Sequence, residues 1–370
     1  MDVRITQLLL ADALATVRPA VGVRSSLPVL SHVLLSTGES GLTVSATDLQ
    51  IYIEHVLPVA EITQPGAITV PARLLSDFVR GLPSEVMHLT VHGQTLHIEC
   101  GAFEANIKGL AAEEFPLIPE PAGLGYITLD ADVFASMVDS VAPAAAKDQT
   151  RPILTGVLVT IGEDTIRMDA ADGYRLHHCV EPSDSDIVHP LSAIVPTGAL
   201  RQIAKCARES VDLALDNVRL FARSDGTRIV AQVIEGEYPD MSTVIPTDQN
   251  TNIILATDEA LQATRMAHVF ARDAVDVMHV NITPPDSIVV TAESAEHGDN
   301  RSELSGKVEG KAIEFAVSVP YILDALNAMD TESTRIGIID SISPITIRPE
   351  YGGKDRGICE MVAVVMPMSK

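Results

Sequence analysis

No stretch of this chain approaches the roughly 18–20 consecutive apolar residues that a membrane-spanning helix needs. Yet 46% of its 370 residues are hydrophobic, too many for a disordered chain. A soluble protein is expected. Cysteine is scarce as well: Cys100, Cys179, Cys206 and Cys359 are scattered, with no CxxC pair. That spacing predicts reduced, mostly buried thiols and excludes a disulfide framework or a zinc ribbon. The N-terminal stretch MDVRITQLLLADALATVRPAV has an acid at position 2 and Asp12 inside its apolar run. It lacks a signal peptide's basic start and uninterrupted core, so a cytosolic location is expected.

Positive charge is also in short supply. Lys and Arg number 26 against 50 Asp and Glu, for a net charge of −24. Such a balance argues against nucleic acid, because phosphate neutralisation by cations supplies most non-specific affinity. Overall charge does not set the local field, however, and the placement of the basic residues decides the matter. Catalytic signatures are missing too. There is no GxGxxG after a strand, no GxxxxGKS/T, no HExxH, no GxSxG and no EF-hand loop. His177, His178 and Cys179 form the best local metal candidate, but neighbouring strand residues point to opposite faces and cannot easily meet one ion. Asp48 and Asp172 are candidates for the carboxylates of a cytosolic hydrolase or transferase, with the His177 pair as an alternative. Their settings, TDL and ADG, read more simply as turn caps.

What the chain does have is repetition. VPARLLSDFVRGLP (from Val70) returns as VPTGALRQIAKC (from Val195) and VPYILDALNAM (from Val319). Pro71, Pro196 and Pro320 are spaced by 125 and 124 residues, about a third of the length. Pro28 and Pro152, Ala46 and Ala170, and Asp48 and Asp172 are each 124 apart. EEFPLIP (from Glu113) has its counterpart in EGEYPDMSTVIP, Pro116 and Pro239 being 123 apart. This period is longer than a solenoid unit, so each repeat should be a whole domain.

Within each repeat the pattern reads strand, helix, strands, helix, strands. Leu10, Ala13, Leu14 and Val17 make one helical stripe behind a cap at Thr6; Phe134, Met137, Val138 and Val141 make the next behind Asp130. In the third repeat Thr257 should cap a helix whose stripe Arg265 and His268 interrupt. Leu74, Leu75, Phe78 and Val79 form the expected apolar face of the second helix. HGQ and SDG read as hairpin turns.

SLPVLSHVLL, ATDL, VPARLLSDFVRGLP, EEFPLIP, TRPILTGVLV, ADGYRL, EGEYPDMSTVIP, PYILDALNAM, DSISP and VVMPM, in order and over the full length, resemble the bacterial DNA polymerase III beta subunit, the sliding clamp family. The resemblance implies an α+β fold: three tandem copies of the DNA clamp domain, each two helices packed on antiparallel sheets, over 1–120, 125–247 and 251–370. It implies a ring-forming head-to-tail homodimer with helices lining the hole, no enzymatic activity and no cofactor. Double-stranded DNA would be held topologically and without sequence preference. The DNA polymerase III alpha subunit, the clamp loader and other clamp-motif peptides would be partners, with no role for a membrane.

By the same resemblance, Arg24, Arg73, Arg80, Lys147, Arg151, Arg201, Lys205 and Arg265 fall on or beside the hole-lining helices and their loops; Arg24 and Arg73 match positions that contact DNA in the family, and all but Arg265 are taken as DNA-binding residues. A groove for partner peptides would be walled by Leu154, Gly173, Tyr174, Arg175, Leu176, Pro239, Val244, Tyr321, Ser343, Pro344, Val364, Met366, Pro367 and Met368. The dimer seam would join Phe103, Ala105 and Ile107 to Val275 and Asp276, more polar than in relatives at Ala105 and Asp276. Ala171, Tyr174, Thr243 and Pro344 depart from the family's usual residues. A specialised clamp copy, from a mobile element or an inhibitor-resistance locus, is therefore the alternative within the family.

Overall fold

The computed structural model describes residues 1–22, 26–58, 61–117, 120–121, 123–162, 164–182, 191–272, 275–351 and 360–368. Arg24 and Cys359 lie outside them. Among the described residues six α-helices fall two to each third: α1 (Gln7–Val17), α2 (Ala72–Gly81), α3 (Ala131–Val141), α4 (Thr197–Cys206), α5 (Thr257–Ala271) and α6 (Val319–Asn327). Among the described residues no helix is long and apolar enough to cross a membrane.

The first helices form where the apolar spacing predicts them. Leu10, Ala13, Leu14 and Val17 of α1 are buried, as are Phe134, Met137, Val138 and Val141 of α3. Thr6 does stand at the N-cap of α1, but its side chain makes no capping hydrogen bond. The third repeat departs from expectation. Its cap position is Ala256, and Thr257 is the first helical residue, its hydroxyl sharing a hydrogen bond of 2.8 Å with that of Thr334. Nor is its stripe interrupted. Thr257, Ala260, Ala263, Thr264, Ala267 and Ala271 make a continuous buried face of small residues, and Arg265 lies outside it. On α2, Ala72, Leu75 and Val79 are buried, whereas Leu74 points outward.

The described chain divides into two compact units, Met1–Ala131 with Gln202–Val233, and Asp132–Arg201 with Ile234–Lys370. The first holds a five-stranded sheet ordered Glu61–Gln64, Asp2–Thr6, Val86–His92, Thr95–Cys100, Phe103–Lys108. It also holds an eight-stranded sheet in which Thr227–Gln232 pairs antiparallel with Ile51–Leu57, so strands of the middle third extend the sheet of the first. The second unit repeats the arrangement. In its nine-stranded sheet Arg175–Pro182 pairs antiparallel with Glu360–Val365, joining middle and last thirds. A four-stranded sheet ordered Gly298–Ser305, Ser287–Ser294, Val277–Thr283, Ile313–Ser318 completes it. The first and last thirds thus each hold one sheet of their own, while the middle third lends its strands to the two sheets it shares with them.

The hairpin turns obey the backbone chemistry expected of them. Asp225 and Gly226 both have positive φ, 41° and 71°, as a two-residue turn matching strand twist requires. Asp48, Asp172, Asp216 and Asp340 each accept two backbone N–H bonds from the residues two and three positions on. The carboxylates at 48 and 172 are thus turn caps.

Candidate functional site

In the second unit, the Asp172 turn opens on a cleft of about 540 Å³. Its lining includes Tyr174 from the turn, Pro320 and Tyr321 from the first turn of α6, and Met366, Pro367 and Met368 from the chain following Glu360–Val365. The turn is left-handed at Gly173, φ +95°, where a Cβ would stand 3.0 Å from Arg151 Nη1. That conformation swings Tyr174 outward, leaving it 66% exposed. The Met366 amide then donates to the Tyr174 carbonyl at 2.9 Å, which fixes the terminal MPM segment along the cleft wall.

Behind this wall lies Arg175, whose side chain is only 5% exposed. A buried guanidinium requires partners on several sides. Its Nε donates to Asp172 Oδ2 at 3.0 Å, Nη1 to Asp324 Oδ2 at 2.6 Å, and Nη2 to the Pro143 carbonyl. The guanidinium also stacks over the Tyr321 ring at 4.4 Å. Arg175 thus ties the turn to α6 and builds the cleft; its hydrogen-bonding capacity is spent inside the protein. Burial, with the Asp172 charge adding to it, pushes the Tyr321 hydroxyl above its ordinary pKa.

Beneath the turn, Ala171, Leu176, Met241, Val362 and Val364 form a buried apolar cluster against which Tyr238 and Ile245 pack. The Ala171 amide donates to the Tyr238 hydroxyl at 2.9 Å, and burial pushes that hydroxyl up to about 12. His177, on the strand beginning at Arg175, is fully buried. Its Nδ1 donates to the Ser140 carbonyl at 2.6 Å, while Nε2 has no partner among the described residues. Burial lowers its pKa to about 4, partly opposed by the Ser140 bond. His178 Nδ1 faces away to Asp169 at 2.6 Å. Among the described residues no group of three or more His, Cys, Asp and Glu side chains is placed to hold a metal ion.

Of the residues expected to bind partner peptides, Tyr174, Tyr321, Met366, Pro367 and Met368 come together at the cleft, and Leu176 and Val364 lie in the cluster beneath the turn. Leu154 is buried, Pro239 and Val244 are exposed, and Ser343 and Pro344 are half-buried; none of these lines the cleft. Val275 and Asp276, expected at a dimer seam, also line the cleft. Asp276 adopts φ +55°, its amide bonding to the Ala271 carbonyl and its own carbonyl accepting from Val319, which directs the pair toward α6. Sequence reasoning missed Asp324, Pro143 and Tyr238. Their sites appear only once strands far apart in sequence are paired.

Among the expected DNA contacts, Arg73 and Arg80 are exposed on α2, and Arg201 and Lys205 lie exposed one turn apart on α4; Arg265 is likewise exposed on α5. Arg73 has an acidic neighbour at 3.7 Å, Asp77. Lys147 is exposed in the loop after α3, and Arg151 stands beside the Gly173 turn.

A chain of paired helices on shared antiparallel sheets, with an apolar cleft near its C-terminal strand, has the build of a DNA clamp. The chain belongs to the DNA polymerase III beta subunit family: models of that family's N-terminal, central and C-terminal domains match residues 1–119, 128–240 and 242–369 in order. It is similar to the beta sliding clamp of Bacillus subtilis, 28% identical over 352 residues, 92% of this chain and 93% of that protein. The beta sliding clamp of Streptomyces coelicolor is 29% identical over 357 residues, covering 93% of each. The crystal structure of the Bacillus subtilis DNA polymerase sliding clamp superposes with a TM-score of 0.94 at 26% identity, covering 100% of this chain and 99% of that one.

Proposed function

We infer that this chain is a sliding clamp, a non-enzymatic processivity factor that encircles duplex DNA and tethers the replicative polymerase and other replication and repair proteins. The observation that carries this reading is the ordered match of all three beta-subunit domains along the chain. We take the segments 1–120, 125–247 and 251–370 as the duplicated domains and the cytoplasm as the place of action. The cleft beside Asp172 is the docking site for a short partner peptide with apolar anchors. Methionine walls suit several such peptides because an unbranched thioether repacks at little cost. Each buried anchor contributes about 1.5–3 kcal/mol, so a few suffice for micromolar affinity.

DNA contact falls to Arg73, Arg80, Arg201, Lys205 and Arg265, and to Lys147 and Arg24. These few cations on a chain of net charge −24 favour loose, salt-sensitive contact, which permits sliding. A head-to-tail dimer closes the ring. Two sheet-edge strands are candidates for its seam, Phe103–Lys108 in one copy and Gly298–Ser305 in the other. Phe103 is 52% exposed on the first, while Ile107 is buried in its own sheet and Ala105 is half-buried. On the other copy the seam residues are Val275, 74% exposed, and Asp276, with Met266 and Val269, both exposed on α5, as further apolar candidates.

One experiment tests the ring and its seam together. Loaded onto a nicked circular plasmid, the protein should co-elute with DNA on gel filtration and be released when the circle is cut. Phe103→Asp should shorten retention on the intact circle and yield monomer by light scattering. Equal retention on linear and circular DNA would overturn the reading.

A further inference from the structure

The first unit contains a second cleft, of about 240 Å³, beside the Asp48 turn, and two of its lining residues, Gln50 and Gln232, stand where Tyr174 and Met366 line the cleft beside Asp172. Leu49, Gln50 and Tyr52 lie 124 residues before Gly173, Tyr174 and Leu176. Tyr52 pairs with Val230 across its sheet as Leu176 pairs with Val364 across the other. The Gln232 amide donates to the Gln50 carbonyl at 2.8 Å, just as the Met366 amide donates to Tyr174. Val218 and Arg219 follow the Asp216 turn as Ile342 and Ser343 follow Asp340. The turn and the strand pair behind it have been duplicated, while the other walls and the side chains facing the cleft have changed.

We propose that this first cleft is a second docking site, for an extended segment of a protein partner carrying apolar anchors beside an acidic residue. The proposal rests on the reading of the Asp172 cleft as a peptide site. Two features of the first cleft select its occupant. Its mouth is apolar: Leu117 is 99% exposed, Leu49 55% and Val218 47%, an unusual concentration of uncovered aliphatic surface. Arg219 lines the same cleft, and its guanidinium has no ionic partner among the described residues, on a chain with an excess of 24 negative charges. An apolar segment would cover the leucines, and its carboxylate would meet Arg219 in a charge-assisted bond. Gln50 and Gln232 replace Tyr174 and Met366, so this cleft holds fewer apolar contacts and binds more weakly than the other.

The test is the number of peptides bound per full-length chain, measured by calorimetry and native mass spectrometry with a fluorescein-labelled peptide carrying two leucines, a phenylalanine and two aspartates. The expected count is two, in two phases. Met366→Asp should remove the tighter phase and leave one. Leu117→Asp or Arg219→Glu should remove the weaker phase alone, and Arg219→Lys should keep it. Replacing the peptide's aspartates by asparagines should weaken the second phase about tenfold and spare the first. A wild-type count of one, or a count of two unchanged by Leu117→Asp and Arg219→Glu, overturns the proposal. So does a change in self-association with no change in peptide count, which would assign the mouth to a second copy of the chain. A count of zero instead overturns the reading of the Asp172 cleft, and this proposal with it.

Discussion

The two clefts sit beside matching turns and differ in how those turns are braced. Beside Asp172 the wall is held by a buried guanidinium gripping two carboxylates, a carbonyl and a tyrosine ring. Beside Asp48 the equivalent of Arg175 is Ile51, and Tyr52 sits in an apolar cluster with Val29, Leu30, Phe115, Ala214, Phe221 and Val230. The equivalent of buried His177 is buried Ile53. The residue that follows the turn is thus braced by apolar neighbours in one copy and by a polar network in the other; in the first copy the charged contacts lie further along the strand, where Arg228 meets Glu54 and Glu120. The polar version fixes Tyr321 and α6 at the edge of a cleft more than twice as large.

If this contrast is correct, Arg175→Ala has the largest effect on stability. It leaves Asp172 and Asp324 without their counter-charge and should cost about 3 kcal/mol, by analogy with other broken buried pairs. Ile51→Ala, at the matching place, should cost about 1 kcal/mol. Chemical denaturation of both variants compares them directly, and equal losses would dissolve the contrast.

Acid sensitivity separates the units next. His177 is held near pKa 4 when folded and returns to about 6.5 when unfolded. Its folded value is depressed, so the unfolded state takes up the proton first as pH falls below 6.5. The stability present at neutral pH is lost progressively down to pH 4, by about 2 kcal/mol at pH 5. His177→Ile, which installs the residue found at the matching position of the first unit, should flatten this slope whatever it does to absolute stability. An unchanged slope between pH 7 and pH 5 would show that other groups govern it.

The smallest expected effect concerns the turns. Leu49 adopts φ +77° where its counterpart is Gly173. Leu49→Gly should stabilise by up to about 1 kcal/mol, since a side chain in the left-handed region is strained. Gly173→Ala should destabilise by about as much, with Arg151 displaced as well. Thermal melts of the pair with opposite signs are the expected result.

Much of this was legible in the chain itself. The period placed the helices, and the Asp-centred turns at 48 and 172 were readable from TDL and ADG because a side-chain carboxylate caps its own turn locally. What sequence could not reveal depends on distant pairing. Arg175 meets Asp324 149 residues away, and no local pattern marks that partner. The α5 stripe was obscured because alanine and threonine serve as its buried residues, so Arg265 and His268 looked like interruptions. The first cleft was the opposite case: its 124-residue correspondence was available throughout, but Gln50 and Gln232 hid it by replacing the aromatic and methionine walls.

The most direct test of the account is the affinity of a peptide taken from the polymerase's clamp-binding segment, measured against wild-type protein and the double variant Tyr321→Ala, Met366→Ala. Loss of two anchoring walls should weaken binding by about a hundredfold while the melting curve stays in place. Undiminished affinity in a folded double variant would contradict the assignment of the Asp172 cleft as the place where partners dock.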